Sequence, residues 1–206
     1  MKTCYIIGAG DITDPKLKAD SDDYIICADG GYEYKDILGK ECDMVVGDFD
    51  SLGRVPECDN KIVAPTEKDE TDMMLAVNLG YDKGYRDFVI LGALGGARND
   101  HSVANIQLLH YIASKGARGS IYHGDEIFTA FSNGTLKLGA ENKGYVSVFS
   151  LTDESRGVTI ENLKYTLDKA TLYSYMPIGV SNEFLDRESS ITVEEGSLLV
   201  VYKRSN

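Results

Sequence analysis

Four short apolar runs, each ending in glycine or aspartate, most narrow what this chain can become. They are "CYIIGAG" at 4–10, "YIICADGG" at 24–31, "DMVVGDFDS" at 43–51 and "DFVILGALGG" at 87–96. Runs so short and so apolar suit strands buried on both faces. Helical patterns lie between the later runs and after the last. "TDMMLAVNLGYDKG" opens on Thr71 and Asp72, residues that favour a helix start, and Gly84 can end it. "NDHSVANIQLLHYIASKG" puts Val103, Ile106, Leu109 and Ala113 on one helical face and again ends in glycine. Strands alternating with helices predict a mostly parallel sheet covered on both faces.

The rhythm changes near residue 125. "DEIFTAFSNGTLKLG" predicts a hairpin turning at Asn133-Gly134, and "SSITVEEGSLLVVYK" a second one turning at Glu195-Gly196. Between them "GYVSVFSLT", "GVTIENLKY" and "ATLYSYM" alternate apolar with polar residues, as half-buried strands do. The fold class expected is therefore an α/β N-terminal domain with a mostly parallel sheet, residues 1–125, and an all-β C-terminal sandwich domain, residues 126–206. A chain of 206 residues is long enough for either domain to bury a core.

Acidic residues stand where these strands end. Asp29 follows "YIICA", Asp48 and Asp50 follow "MVV", and Asp100 comes four residues after "LGALGG"; Asp72 begins a helix. Open α/β sheets bind ligands at this edge. Like charges crowded together repel, and a divalent cation reverses the sign of that interaction. Mg²⁺ favours hard oxygen ligands, commonly one or two carboxylates plus substrate phosphates. Taken singly, each aspartate is equally a turn or cap residue. Taken as a set, unneutralised repulsion disfavours that simpler reading.

Glycine supplies a second element. Gly95-Gly96 lies between a strand and a helix, where backbone N–H groups can cradle a phosphate, and Arg98 can add a bidentate contact. Gly30 in "ADGGY" permits close approach of backbone to a ligand, and Lys68 offers a cation or is a solvated loop residue. A lone His101 near a helix start is more often structural than a general base. No GxGxxG or GxxxxGK[ST] pattern occurs.

A formal net charge of −12 makes the chain a poor non-specific partner for nucleic acid. A phosphorylated small ligand is compatible if a cation lies between it and the carboxylates. Cys4, Cys27, Cys42 and Cys58 form no CxxC pair and are expected to be reduced, mostly structural thiols of a cytoplasmic protein. No apolar stretch approaches the ~18 residues that a membrane span needs, and the first ten residues do not resemble a signal peptide.

In order along the chain, "ADGG", "GDFDS", "EKDETD", "LGGARNDH" and "GVSNEF" resemble the motifs of thiamine pyrophosphokinases, and the likeness runs from Asp29 to Phe184. The resemblance implies an enzyme that moves the terminal pyrophosphate of ATP onto the hydroxyl of thiamine, giving thiamine diphosphate and AMP. It implies Mg²⁺, and a homodimer with active sites between subunits. Carried onto this chain, Asp48, Asp50 and Asp72 would be metal and phosphate-handling carboxylates, with Asp100 also catalytic. Asp29, Gly30, Lys68, Thr71, Gly95, Gly96 and Arg98 would contact substrate. Ser181 and Asn182 would hold the thiamine aminopyrimidine.

The residues support this independently: a metal–nucleotide suits a carboxylate cluster, and no Ser/His/Asp or Cys/His nucleophile set presents itself. The chain has no tryptophan, so stacking on thiamine would fall to Tyr173, Tyr175 or Phe184, although strand aromatics more often pack the sheet. Two other readings use the same carboxylates. One is a metal-dependent phosphohydrolase, the other a non-catalytic nucleotide-binding regulatory module.

Overall fold

A computed structural model describes residues 2–49, 53–54, 56–65 and 69–204. The chain divides into two compact units, residues 1–108 with 121–124 and residues 109–120 with 125–206. Among the described residues, no helix is long and apolar enough to cross a membrane.

In the first unit, strands β1 (Cys4–Ile7), β2 (Tyr24–Ala28), β3 (Met44–Gly47), β4 (Lys61–Val63) and β5 (Asp87–Leu91) lie in the order β5-β1-β2-β3-β4. Every one of these pairings is parallel. All four predicted strands are present, and the short β4 is one that sequence patterning did not single out. β1 and β2 are buried on both faces, which explains their unbroken apolar character. Tyr5, Ile7, Ile25, Cys27 and Val45 meet Leu38 and Phe49 on one side. On the other, helix α1 (Asp72–Asp82) lies so close that a Cβ on its Gly80 would be 2.8 Å from both Cys4 Sγ and Phe88 Cε1. Glycine there lets helix and sheet meet.

Helix α2 (Asn99–Ser114) buries Asn105, Leu108, Leu109, Ile112 and Ala113. The predicted face is thereby corrected: Leu109 and Ala113 point inward, but Val103 is 63% exposed. The apolar stripe is carried by Leu108 and Ile112 further along the helix, so a four-residue pattern begun at Val103 starts on the wrong side.

The second unit is antiparallel. Its strands are β7 (Glu126–Leu138), β8 (Tyr145–Ser150), β9 (Glu154–Glu161), β10 (Leu167–Tyr173), the two-residue β11 (Asn182–Glu183) and β12 (Ser189–Lys203); β6 (Arg118–His123), just before them, is divided between the units, residues 118–120 in the second and 121–123 in the first. Both predicted hairpins are overturned, because β7 and β12 each run straight through their expected turns. The two strands pair with each other along almost their full length, with one irregularity between Val193 and Ser197. The turn-favouring residues meet at that irregularity. Asn133 has φ 47°, Gly196 has φ 113°, and the Gly196 N–H donates to Asn133 Oδ1 at 3.0 Å. Positive φ here makes a matched kink in a long ladder rather than a reversal. The kink lets β12 serve two sets of neighbours: residues 190–195 pair with β9 and residues 198–202 with β8. Val146, Val148, Val158, Ile160, Leu198 and Val200 belong to the enclosed core.

Two glycines of the first unit should respond differently to a methyl group. A Cβ at Gly31 would lie 2.0 Å from the Ile7 carbonyl oxygen, a fixed backbone atom. Gly39, at φ 72°, has open space around it. Urea denaturation should show Gly31→Ala losing about 3 kcal/mol or more, and Gly39→Ala about 1 kcal/mol from the left-handed backbone alone.

Candidate functional site

Strand register brings the acidic groups together. β2 and β3 are parallel neighbours, with Ala28 opposite Val46, so both release the chain at the same edge of the sheet. Asp29 is the first residue after β2 and begins a short 3-10 helix, Asp29–Tyr34. Asp48 is the first after β3. Between them lies Gly47, where a Cβ would be 3.1 Å from Asp29 Cα. A side chain at 47 would push the two strand ends apart. Asp29 and Phe49 both adopt positive φ, 47° and 60°, so the chain turns sharply after each strand. Such backbone is uncommon outside glycine and clusters at functional sites.

Asp72 arrives from the start of α1. The Thr71 hydroxyl caps this helix, accepting the Met74 N–H at 3.2 Å. The next residue, Met73, sits against the end of β1, for a Cβ on Gly8 would lie 2.8 Å from its sulfur. The outcome is that one carboxylate oxygen from each of Asp29, Asp48 and Asp72 lies within 4.8 Å of the others. At an effective dielectric of about 20, two unit charges at that spacing repel by roughly 3 kcal/mol. Three half-buried, all-oxygen donors at this spacing fit a hard divalent cation, which replaces the repulsion by attraction. Asp50, expected as a metal carboxylate beside Asp48 and Asp72, and Lys68, expected as a substrate contact, lie outside the described residues.

The glycine loop is more heavily engaged than its sequence suggests. The Gly95 N–H donates to Ser102 Oγ at 3.0 Å, so that donor is turned toward helix α2. Gly95 and Gly96 have φ 73° and 76°. A second loop runs alongside: Gly8 N–H donates to Leu91 O, Gly10 N–H to Gly92 O and Asp11 N–H to Leu94 O, at 2.8, 2.8 and 2.9 Å. Asp11 Oδ2 lies 2.1 Å from where a Gly95 Cβ would be. Sequence reasoning missed Asp11. The signal was present, since "CYIIGAGD" repeats the strand–glycine–aspartate form of "VVGDFD".

Arg98 and Asp100 form an exposed ion pair, with Arg98 Nη2 2.6 Å and Nε 3.1 Å from separate Asp100 oxygens. The guanidinium hydrogen bond holds the Asp100 carboxyl down at about 2. In the second unit, the Ser181 N–H donates to Ser147 Oγ at 3.1 Å. Asn182 is 6% exposed, and its amide clasps the backbone of Tyr165: Oδ1 accepts the N–H at 2.9 Å while Nδ2 donates to the carbonyl at 2.6 Å. The Tyr173 and Tyr175 rings are 5.3 Å apart, whereas Phe184 is buried edge-on to Tyr202. Tyr173 also lines a small cavity with Val148, Leu172, Met176 and Gly179.

Parallel strands with carboxylates converging at their ends, followed by an antiparallel β unit, define a two-part protein whose acidic centre suits metal-assisted chemistry. Comparison with known proteins gives the particular family. Residues 16–120 match the model "Thiamin pyrophosphokinase, catalytic domain", and residues 135–198 match "Thiamin pyrophosphokinase, vitamin B1 binding domain". The chain belongs to the thiamin pyrophosphokinase family, a family of kinase-type transferases. It is 26% identical over 162 residues to thiamine pyrophosphokinase of Bacillus subtilis (strain 168), covering 75% of each chain. A crystal structure of thiamine pyrophosphokinase from Bacillus subtilis shares the fold at a TM-score of 0.86, with 24% identity and all of both chains covered. Thiamin pyrophosphokinase from Candida albicans matches at a TM-score of 0.73 and 17% identity, over 98% of this chain and 89% of that one.

Two measurements test this geometry. Titration calorimetry with Mn²⁺ should show binding that Asp48→Asn or Asp72→Asn weakens at least tenfold, since each removes one charged ligand. Carboxyl NMR should place the Asp100 midpoint near 2, moving up toward 3.8 in Arg98→Gln. The sign follows: because folding lowers this group, its contribution to stability is full above about 3.8 and is lost as pH falls through about 2.

Proposed function

We propose that the chain is a Mg²⁺-dependent thiamine pyrophosphokinase that transfers the terminal pyrophosphate of ATP to the hydroxyl of thiamine. The observation that carries this reading is the convergence of Asp29, Asp48 and Asp72 within 4.8 Å, in a chain whose two parts match the family's catalytic and vitamin B1 binding models. In this reading residues 1–125 handle the nucleotide and residues 126–206 hold thiamine.

Bound Mg²⁺ would supply charge neutralisation on the phosphate oxygens. Asp48, Asp50 and Asp72 would hold it, and Asp29 lies beside Asp48 and Asp72. The thiamine hydroxyl oxygen attacks the β-phosphorus of ATP, the bond between β-phosphorus and the oxygen bridging to the α-phosphorus breaks, and AMP leaves with that oxygen. The hydroxyl proton passes to a carboxylate, Asp72 or Asp100. Such transfer depends on alignment and charge stabilisation rather than on a covalent nucleophile. The start of α1 presents its N–H groups beside Asp72, and Arg98 and Lys68 are the cations assigned to phosphate. Arg98 would exchange its pairing with Asp100 for phosphate oxygen, freeing the carboxylate to take a proton.

Ser181, at φ 61° in an exposed turn, and Asn182, whose amide also fixes the Tyr165 backbone, hold the thiamine aminopyrimidine in this reading. An acidic chain also favours thiamine, which is a cation. A homodimer with active sites at the subunit interface belongs to this reading. Tyr175, Met176, Ile178 and Val180 form an exposed apolar stretch of the kind association covers.

Incubation with ATP, Mg²⁺ and thiamine should yield AMP and thiamine diphosphate in equal amounts. ADP as the sole nucleotide product would exclude direct pyrophosphoryl transfer. Phosphate release without thiamine would favour a phosphohydrolase, and binding without turnover a regulatory module. Asp48→Asn should keep its fold by circular dichroism while turnover falls about 10²–10³-fold, the loss typical of removing an electrostatic stabiliser.

A further inference from the structure

We propose that Cys42 and Cys58 are an oxidation-sensitive thiol pair, joined reversibly into an intramolecular disulfide that staples the segment bearing Asp48. Three of the four cysteines gather in one place. Cys27 is fully buried on β2, while Cys42 and Cys58 are half-buried, and all three belong to the same cluster around Tyr32 and Val45. β3 and β4 run parallel with Val45 opposite Lys61, and the same register counted back three residues on each strand sets Cys42 across from Cys58. Neighbouring contacts fix this arrangement. Cys58 Sγ donates to the Asn60 carbonyl at 3.4 Å, and the same carbonyl accepts the Val45 N–H at 3.0 Å. Cys58 is thus held against the start of β3, three residues from Cys42. The Tyr32 hydroxyl donates to Glu57 O at 3.1 Å and holds the other side of the loop.

A shared soft metal is the obvious rival. Among the described residues, however, the acidic trio meets the spacing for a common ion and these thiols do not. Reactivity also differs along the row. The hydrogen bond from Cys27 lowers the Cys42 thiol, against the effect of burial, and Cys58 and Lys35 add to the lowering. Burial raises Cys58. Cys42 is therefore the nucleophile, and Cys58, the more accessible of its two partners, is the resolving thiol.

The co-reactant is a low-molecular-weight disulfide such as oxidised glutathione. The Cys42 thiolate attacks one of its sulfurs, forming a mixed disulfide and expelling one thiolate. Cys58 gives its proton to solvent and attacks the Cys42 sulfur, expelling the second thiolate. Two electrons pass from the protein to the small disulfide, which leaves as two thiols. The new bond fixes the two sulfurs about 2.05 Å apart, and β3 and Asp48, which lie between the two cysteines in sequence, must adjust. Displacements of about 1 Å cost positional catalysis up to about 10²-fold. This effect on rate rests on the pyrophosphokinase reading; formation of the bond does not.

The test is peptide mass spectrometry with denatured thiol counting after incubation of the full chain with oxidised glutathione at pH 8. Wild type should lose two thiols and yield a linked Cys42–Cys58 peptide. Cys58→Ser should stop at a glutathione adduct on Cys42, and Cys4→Ser should behave as wild type. A Cys27–Cys42 link, unchanged thiols, or an adduct on Cys58 of Cys42→Ser formed as fast as the wild-type link would overturn the pairing. Oxidised wild type should turn over at least tenfold more slowly than the reduced enzyme and recover with dithiothreitol, whereas Cys58→Ser freed of its adduct should be unaffected by the cycle. A linked peptide with unchanged turnover would refute the regulatory effect. Reduced protein without turnover, but with the link forming, would instead count against the pyrophosphokinase reading alone.

Discussion

Mutual repulsion among Asp29, Asp48 and Asp72 is the constraint to which the first unit is built. The sheet could relax it by letting the strand ends spread, yet the backbone prevents this. Parallel pairing of β2 with β3 fixes two of the carboxylates on one edge, and the missing side chain at Gly47 lets those ends touch. The capped start of α1 brings in the third. Each element is stabilised elsewhere, by strands buried on both faces and by the close approach of α1 at Gly80. The core therefore supplies the free energy that keeps three carboxylates close together at this edge. This is strain held ready at a site, and the positive φ values at Asp29 and Phe49 are its backbone counterpart.

Much of that arrangement was legible from residue order. Short apolar runs specify parallel strands because both faces are covered, and the residue after each run is then forced to the ligand edge. This logic located Asp29 and Asp48 without coordinates, and helix-start chemistry located Thr71 and Asp72. It was not applied to the first run, where Asp11 stands in the same relation to β1, one loop further out. What sequence could not supply was occupancy. Gly95 reads as an open phosphate donor, but its N–H is committed to Ser102, seven residues away and visible only once α2 is placed. Asn182 reads as a ligand residue, and its amide also holds the chain at Tyr165. Polar side chains in motifs often serve the fold that presents the site.

The antiparallel unit misled differently. Asn-Gly and Glu-Gly between alternating stretches are strong local signals for reversal, and both failed. A turn signal states only that the backbone can adopt positive φ. Whether it reverses or kinks depends on what lies across from it, and each of these sites lies across from the other.

That opposition has an evolutionary consequence. Because Asn133 and Gly196 are joined across the ladder, the two strands carry a matching notch that defines a single alignment over their whole length. Loss of one residue from either strand would turn inward-facing side chains out on one side of the notch, and the partner strand could not follow without losing a residue too. Length changes in these strands should therefore be inherited in pairs, while the loops at either end of the unit remain free to vary.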